Sequence, residues 1–250
     1  IETMLFESGI IPRRGSVEAH NTISDFTDLE RERENTIYNH LMHAKWHNNK
    51  INIIDTPGFD DFIGEVVSSL KVSDTALILL NAASGVEVGT EIVWEYVQNY
   101  QTPALFVINQ MDHPKADYDT TLEQAKNRFG NKVIPIQYPY NSGEKFNSII
   151  DVLRMTMYVF PENGGKPEKM PIPTSELEKA NALHNALVEA AAENEEGLME
   201  KYFEKGNLDE EELAKGLTIA LAHQQIYPVF CASGLKDMGS GRIMGFIDDI

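Results

Sequence analysis

Ile51-Asn-Ile-Ile-Asp55-Thr-Pro-Gly58 decides how this chain is read. An apolar strand ends in an Asp and, with two residues between, a Gly opens a loop. A second apolar strand, Ala104-Leu-Phe-Val-Ile-Asn109, ends fifty-four positions after Asp55 and runs into Gln110-Met111-Asp112. The two stretches have the form D-x-x-G and N-x-x-D, and the residue types suit one chemistry. A carboxylate at a strand end can hold magnesium through water, and a Gly lets its backbone N–H approach a γ-phosphate closely. An Asn and an Asp three apart can read the edge of guanine, the Asp accepting from its N1 and N2 protons. Asp-Thr-Pro-Gly alone is also a plausible turn. Two elements in this order, each at the end of an apolar strand, point to a site for a guanine nucleotide and magnesium.

Composition narrows the class. With 250 residues the chain has room for one large or two small domains and a substantial core. Its 42% hydrophobic and 24% charged residues are ordinary for a soluble globular protein. Cys231 is the only cysteine, so no intramolecular disulfide can form, which fits a reducing cytosol and a cytoplasmic location. No run of 18 apolar residues occurs, so no membrane helix is expected, and the N-terminus lacks a signal-peptide pattern. The formal charge of −18 argues against a grip on nucleic acid through phosphates. Half of that excess, −9, falls between Pro161 and Glu212, where 14 acidic and 5 basic residues stand. A solvated helical surface accounts for most of them.

The pattern reads as an α/β core interrupted by an insert. Residues 1–8 look like the last turns of a helix closed by Gly9. Residues 12–36 lack periodicity and read as a long loop, a length that is commonly functional. Strands are expected at 38–46 and 51–54, a helix at 62–70, a buried strand at 75–81, a helix at 87–100 and a strand at 104–109. This alternation implies a mostly parallel sheet, with Asp55 and Asn109 at the carboxyl ends of strands, where ligands bind. Further strands are expected at 133–138 and about 151–159, then a Pro/Gly-rich stretch at 161–173. Ser175-x-x-Glu178 has the form of a capping box opening a helix that carries Leu177, Ala180, His184, Leu187, Ala191 and Leu198. His184 reads as a packed histidine. Asp209-x-x-Glu212 caps a second helix with Leu213, Leu217, Ala220 and Leu221 inward. A last strand at 226–231 is followed by Ala232-Ser-Gly-Leu235, small residues that suit a third guanine contact through the Gly234 N–H. The expected organisation is a GTP-binding core at 1–137, an inserted subdomain at 138–222 and the end of the core at 223–250.

These stretches resemble the GTPase domain and inserted subdomain of translation elongation factor G, with this chain as a divergent paralogue. Ile51 to Phe62 resembles the family's Ile-Asn-Ile-Ile-Asp-Thr-Pro-Gly-His-Val-Asp-Phe, and Arg33-Glu-Asn-Thr36-Ile37 its effector loop Arg-Gly-Ile-Thr-Ile. Gly85-Val-Glu-Val and Glu91-x-Val-Trp94 are similar to the helix before the guanine motif. Glu189-Ala-Ala-Ala-Glu and Leu198-Met-Glu-Lys-Tyr202 resemble the insert, and Phe230-Cys-Ala-Ser-Gly resembles Cys-Gly-Ser-Ala. The resemblance implies a P-loop-NTPase-type GTPase fold that binds GTP or GDP with magnesium. It implies Thr36 and Asp55 as magnesium ligands, Gly58 at the γ-phosphate, Asn109, Gln110 and Asp112 at the guanine, and Ser233 and Gly234 completing the base pocket. It also implies a ribosomal partner, contact with the ribosomal stalk protein through the acidic insert, and further domains C-terminal to this chain.

Three departures qualify the resemblance. No Gly-x-x-x-x-Gly-Lys-Ser/Thr phosphate loop occurs in the chain. The expectation is that a first strand and phosphate loop precede Ile1 in the parent protein; a protein without the loop would need another way to neutralise a triphosphate. Phe59 stands at the family's catalytic histidine, which positions the attacking water, and a phenyl ring cannot make that hydrogen bond. Gln110 replaces the guanine-motif Lys and loses its charge, so weaker nucleotide binding is expected. Glu34 and Asn35 alter the effector loop as well. The leading reading is therefore an elongation factor G-like GTP-binding translation factor of the translocation type with impaired hydrolysis. The alternatives are a normally active translocation or ribosome-protection GTPase and, in another class, a nucleotide-independent ribosome-docking scaffold. Retention of Thr36, Asp55, Asn109 and Asp112 speaks against the scaffold.

Overall fold

A computed structural model of the chain describes residues 1–162 and 164–250. Helix α1 (Glu2–Glu7) ends at Ser8, and Gly9 follows with φ +73°, as its sequence position predicts. The stretch expected to be a continuous loop at 12–36 contains a short helix, α2 (Asp28–Arg33). Thr27 and Glu30 form a reciprocal capping box at its start, a local signal strong enough to nucleate one turn and a half. Strands β1 (His40–Trp46) and β2 (Asn49–Asp55) pair antiparallel through the two-residue turn His47-Asn48, with Trp46 opposite Asn49 and His40 opposite Asp55. A 3₁₀ turn, Asp60–Phe62, leads into α3 (Ile63–Leu70). Val66 and Leu70 are buried on one face, as the spacing predicts.

Strand β3 (Ala76–Asn81), helix α4 (Val88–Tyr100) and strand β4 (Ala104–Asn109) follow within a residue of their expected bounds. β4 is buried almost end to end, whereas Leu79 of β3 is 59% exposed, so β3 is buried on alternate residues rather than throughout. Helix α5 (Tyr118–Phe129) has no counterpart in the sequence reading; Asp117 caps it by accepting from Thr120 N–H at 3.0 Å. Next come β5 (Val133–Pro135), β6 (Gln137–Pro139), β7 (Ser148–Asp151), β8 (Thr156–Val159) and β9 (Glu168–Met170). The expected single strand at about 151–159 is thus a turn plus β8. The Asp151 carboxylate accepts from Arg154 N–H at 2.9 Å, and Met155 takes φ +46°, which breaks the extended run.

Helix α6 (Leu177–Ala192) has Glu176 at its N-cap and no side-chain cap, so the Ser175-x-x-Glu178 box does not form. Pro173 C=O accepts from Glu176 N–H at 2.9 Å, and Ser175 is spent in that turn. α6 also stops short of Leu198, which lies on α7 (Glu196–Lys205). The Asn194 amide bonds back to Ala190 C=O at 2.8 Å, competing with the helix ladder at the break. α8 (Glu210–Ala222) carries the Asp209/Glu212 box with both arms formed, and Leu213, Leu217, Ala220 and Leu221 are buried. A Cβ on Gly216 would lie 2.6 Å from Ala191 C=O, so a hydrogen is needed where α8 meets α6. β10 (Tyr227–Cys231) and α9 (Ser240–Asp249) close the chain.

The chain divides into two compact units. The first comprises Ile1–Ala76, Glu87–Thr102 and Ser240–Asp248, and holds the β1–β2 hairpin. The second comprises Leu77–Val86, Pro103–Gly239 and Asp249–Ile250. Its larger sheet has the order β3-β4-β10-β5, with β10 parallel to both β4 and β5. A second sheet, β6-β7-β8-β9, is antiparallel at each pairing and lies in sequence, with α6–α8, between β5 and β10. The architecture is α/β with a mostly parallel sheet interrupted by an α+β insert.

Candidate functional site

In the second unit the guanine-motif residues converge at the carboxyl ends of neighbouring parallel strands. β4 ends at Asn109 and β10 at Cys231, with Ile108 opposite Cys231. The Asn109 side-chain carbonyl accepts from Gly234 N–H at 3.0 Å, so residues 125 apart in sequence meet. Met111 N–H donates to Ala232 C=O at 3.1 Å, and the Met111 side chain is fully buried. Met111, which the sequence reading passed over, therefore anchors the turn between Asn109 and Asp112. The Asp112 carboxylate is half-exposed and receives no hydrogen bond among the described residues. It is an acceptor left free, which suits the N1 and N2 protons of a guanine.

Gln110 takes φ +62°, in the left-handed region, which re-aims the chain between Asn109 and Asp112. Its side-chain carbonyl accepts from the Asn81 amide at 3.2 Å, at the end of β3. Asn81 is a second residue with no earlier signal. Ser233 is fully buried, and its hydroxyl accepts from Lys236 N–H at 3.1 Å. Ser233 therefore shapes the loop, while Gly234 presents the backbone donor.

The first unit carries Thr36, Asp55, Gly58 and Phe59. The Thr36 hydroxyl donates to Asp25 at 2.7 Å. Asp55 lies at the end of β2. Burial raises its pKa, and the nearby Asp25 carboxylate adds to the rise against the opposing His40 and Ser24 hydroxyl. The Asp55 carboxylate and the Thr36 hydroxyl are oxygen donors of the kind a hard dication such as magnesium takes, and Asp25 is the internal partner that occupies the hydroxyl here. Phe59 is 57% exposed at the N-cap of the 3₁₀ turn. Asp60 lies beside the first turn of α4, where a Cβ on Gly89 would come within 2.9 Å of its carboxylate.

Thr36 is held in place by a latch that sequence reasoning missed. Glu30 is fully buried and accepts from Thr27 N–H and hydroxyl, from Ile37 and Tyr38 N–H, and pairs with His40 Nε2 at 2.8 Å. Burial alone would raise its pKa; the hydrogen bonds from Ile37, Thr27, His40 and Tyr38 outweigh that and hold it at about 2. Asp25, Glu30 and His40 present ligand atoms within 4.8 Å of one another. Glu30 is satisfied within the chain by Thr27, Ile37, Tyr38 and His40, so the group works as a latch without needing an ion. The signal was present as Thr27-x-x-Glu30, a capping box inside a stretch read as loop.

The family profile described as the elongation factor Tu GTP binding domain matches residues 1–250. A crystal structure of a protein from Thermus thermophilus is similar with a TM-score of 0.92 and 29% sequence identity, over 99% of this chain and 37% of that one. The chain thus spans little more than a third of the protein it matches. Among the described residues no helix is long and apolar enough to cross a membrane. The fold is of the P-loop-NTPase GTPase type, and the chain belongs to the elongation factor Tu GTP-binding domain family, as an elongation factor G-like member.

Proposed function

We propose that this chain is the guanine-nucleotide-binding part of a translation factor of the translocation type that acts at the ribosome in the cytoplasm and hydrolyses GTP slowly. The observation that carries the nucleotide reading is the bond from Gly234 N–H to the Asn109 amide carbonyl, 3.0 Å, beside a free Asp112 carboxylate. In this reading Asp112 accepts from two guanine donors that adenine lacks, and Gly234 N–H turns to the base carbonyl. Gln110, tied to Asn81, gives the loop its bend without the charge that a lysine would bring. In the first unit Thr36 and Asp55 would hold magnesium, and Gly58 N–H would be the donor to the γ-phosphate. Bound magnesium supplies neutralisation of charge on the transferring phosphoryl group. Phe59 offers the attacking water no hydrogen bond, and Asp60 and Asp61 bring negative charge, so hydrolysis is slow and the GTP form is released mainly by dissociation.

The insert, residues 138–222, serves in this reading as a protein-docking surface. Its net negative helices repel nucleic acid and favour a protein partner, which the family membership suggests is the ribosomal stalk. Deleting the insert reduces recruitment to stalk-bearing ribosomes; unchanged recruitment with and without the stalk contradicts it. The nucleotide reading is tested by Asp112→Asn in the full-length protein. Calorimetry should record preference moving from guanine to xanthine nucleotides by about 10–100-fold, the scale of hydrogen bonds to a charged group. An unchanged preference sinks the assignment.

A further inference from the structure

The loop after β10 is braced from outside by two turns of the insert. Ser233 and Met238 exchange both backbone hydrogen bonds, at 2.9 and 3.0 Å, and close the base of the loop. Its far side, Lys236-Asp237, is met by Gly164 and Gly165. Both have left-handed backbones, φ +75° and +92°. A Cβ on Gly164 would lie 2.0 Å from Lys236 C=O and 2.7 Å from Asp237 Cβ, so only a hydrogen fits. Gly165 N–H donates to Asp237 C=O at 3.2 Å. From the other turn, Glu144 C=O accepts from the Lys236 ammonium at 2.8 Å. Asp237 is buried at φ +57°, and one of its carboxylate oxygens has no hydrogen-bond partner. Such a residue is costly, and it persists where its surroundings over-determine it. These contacts fall within three residues of Gly234.

We propose that Gly164 and Lys236 are positioning residues for base recognition: they hold the loop so that Gly234 N–H is aimed where a guanine carbonyl accepts it. The proposal rests on the base-reading role given above to Gly234. Moving Lys236 C=O by the width of a methyl group tilts the peptide units between it and Ser233, and Gly234 N–H is one of them. Hydrogen bonds weaken steeply with such misalignment. The brace comes from the insert, so base recognition depends on residues that touch no nucleotide.

The test compares GTP with 2-aminopurine riboside triphosphate, which keeps the exocyclic amine and lacks both the carbonyl and the N1 proton, so that loss of the Gly234 contact shows as a smaller preference for GTP in the variants. Dissociation constants are measured for the full-length protein and for its Gly164→Ala and Lys236→Met variants. The second keeps the apolar stem and deletes only the Glu144 contact, so it retains the fold even if the first does not. GTP affinity should fall about threefold to tenfold, the scale of one neutral hydrogen bond, with 2-aminopurine triphosphate affinity unchanged. Gly206→Ala, at a left-handed glycine whose added Cβ meets nothing within 4 Å, should leave both affinities as they are. Equal loss for the two nucleotides, with the wild-type preference for GTP intact, overturns the positioning role. A wild type that does not prefer GTP overturns the base-reading role itself and the proposal with it.

Discussion

The two groups of candidate residues, one in each unit, are built differently. In the second unit, Asn109, Gln110, Ser233 and Gly234 bond to partners close to the ends of buried parallel strands, and the Asp112 carboxylate stays free. In the first unit, the Thr36 hydroxyl is occupied by Asp25, and Asp55 sits among charges that burial has made expensive. On the proposed reading, base binding would need only one exchange, Gly234 N–H from Asn109 to a base carbonyl. The first-unit group must give up an internal bond before Thr36 can act as a ligand. On the proposed reading the difference assigns specificity to short loops on strand ends, and switching to side chains that would exchange one partner for another.

The largest expected effect lies in the first unit. Phe59→His should raise ribosome-stimulated phosphate release by about 10²-fold or more, because a group that orients water contributes on that scale. At about 1.4 kcal/mol per decade, that is ~3 kcal/mol of barrier. Rapid turnover by the natural protein, equal to that of the variant, would mean that water is positioned by another group.

Next comes the latch. Glu30 has a folded pKa of about 2 against 4.5 for the free side chain. A depressed carboxylate contributes stability that is fully present above the unfolded value and lost as pH falls through the folded one. By linkage the contribution at neutral pH is ~3 kcal/mol. Glu30→Gln should therefore lower the thermal midpoint at pH 7, with the gap to wild type narrowing between about pH 4.5 and 2. A gap that stays constant across that range would remove Glu30 as the origin of the effect. The smallest effect is Asp25→Ala, which frees the Thr36 hydroxyl. Magnesium-dependent nucleotide binding should tighten by about threefold to tenfold, one hydrogen bond's worth. Weaker binding would make Asp25 a helper and not a competitor.

Much of this was legible in the sequence, for identifiable reasons. β4 and β10 were clear because long apolar runs bounded by polar turns leave few alternatives, and Asp209/Glu212 because a capping box is a local interaction. The Ser175/Glu178 pattern failed because Pro171 and Pro173 put a turn where the helix would have begun. Helix α2 was hidden by length, a six-residue helix giving no periodicity to detect. Helix α5 carries few apolar residues, with Tyr118, Thr121, Ala125 and Phe129 as its buried side, so its stripe is faint. Asn109 and Asp112 could be named as a pair from spacing alone. Asn81 and Met111 could not, since their partners lie 29 and 121 positions away, whereas for Glu30 the Thr27 capping box was legible and the bonds to Ile37, Tyr38 and His40 were not.

The contrast between the two groups is tested most directly by amide hydrogen exchange of the full-length protein with and without GTP and magnesium. Binding should increase protection strongly across residues 25–40, where Thr36 changes partner and the Glu30 latch tightens around it. Residues 107–112 and 230–238 should change little, being bonded already before nucleotide arrives. Strong new protection at 107–112 and 230–238, with none across 25–40, would contradict the account.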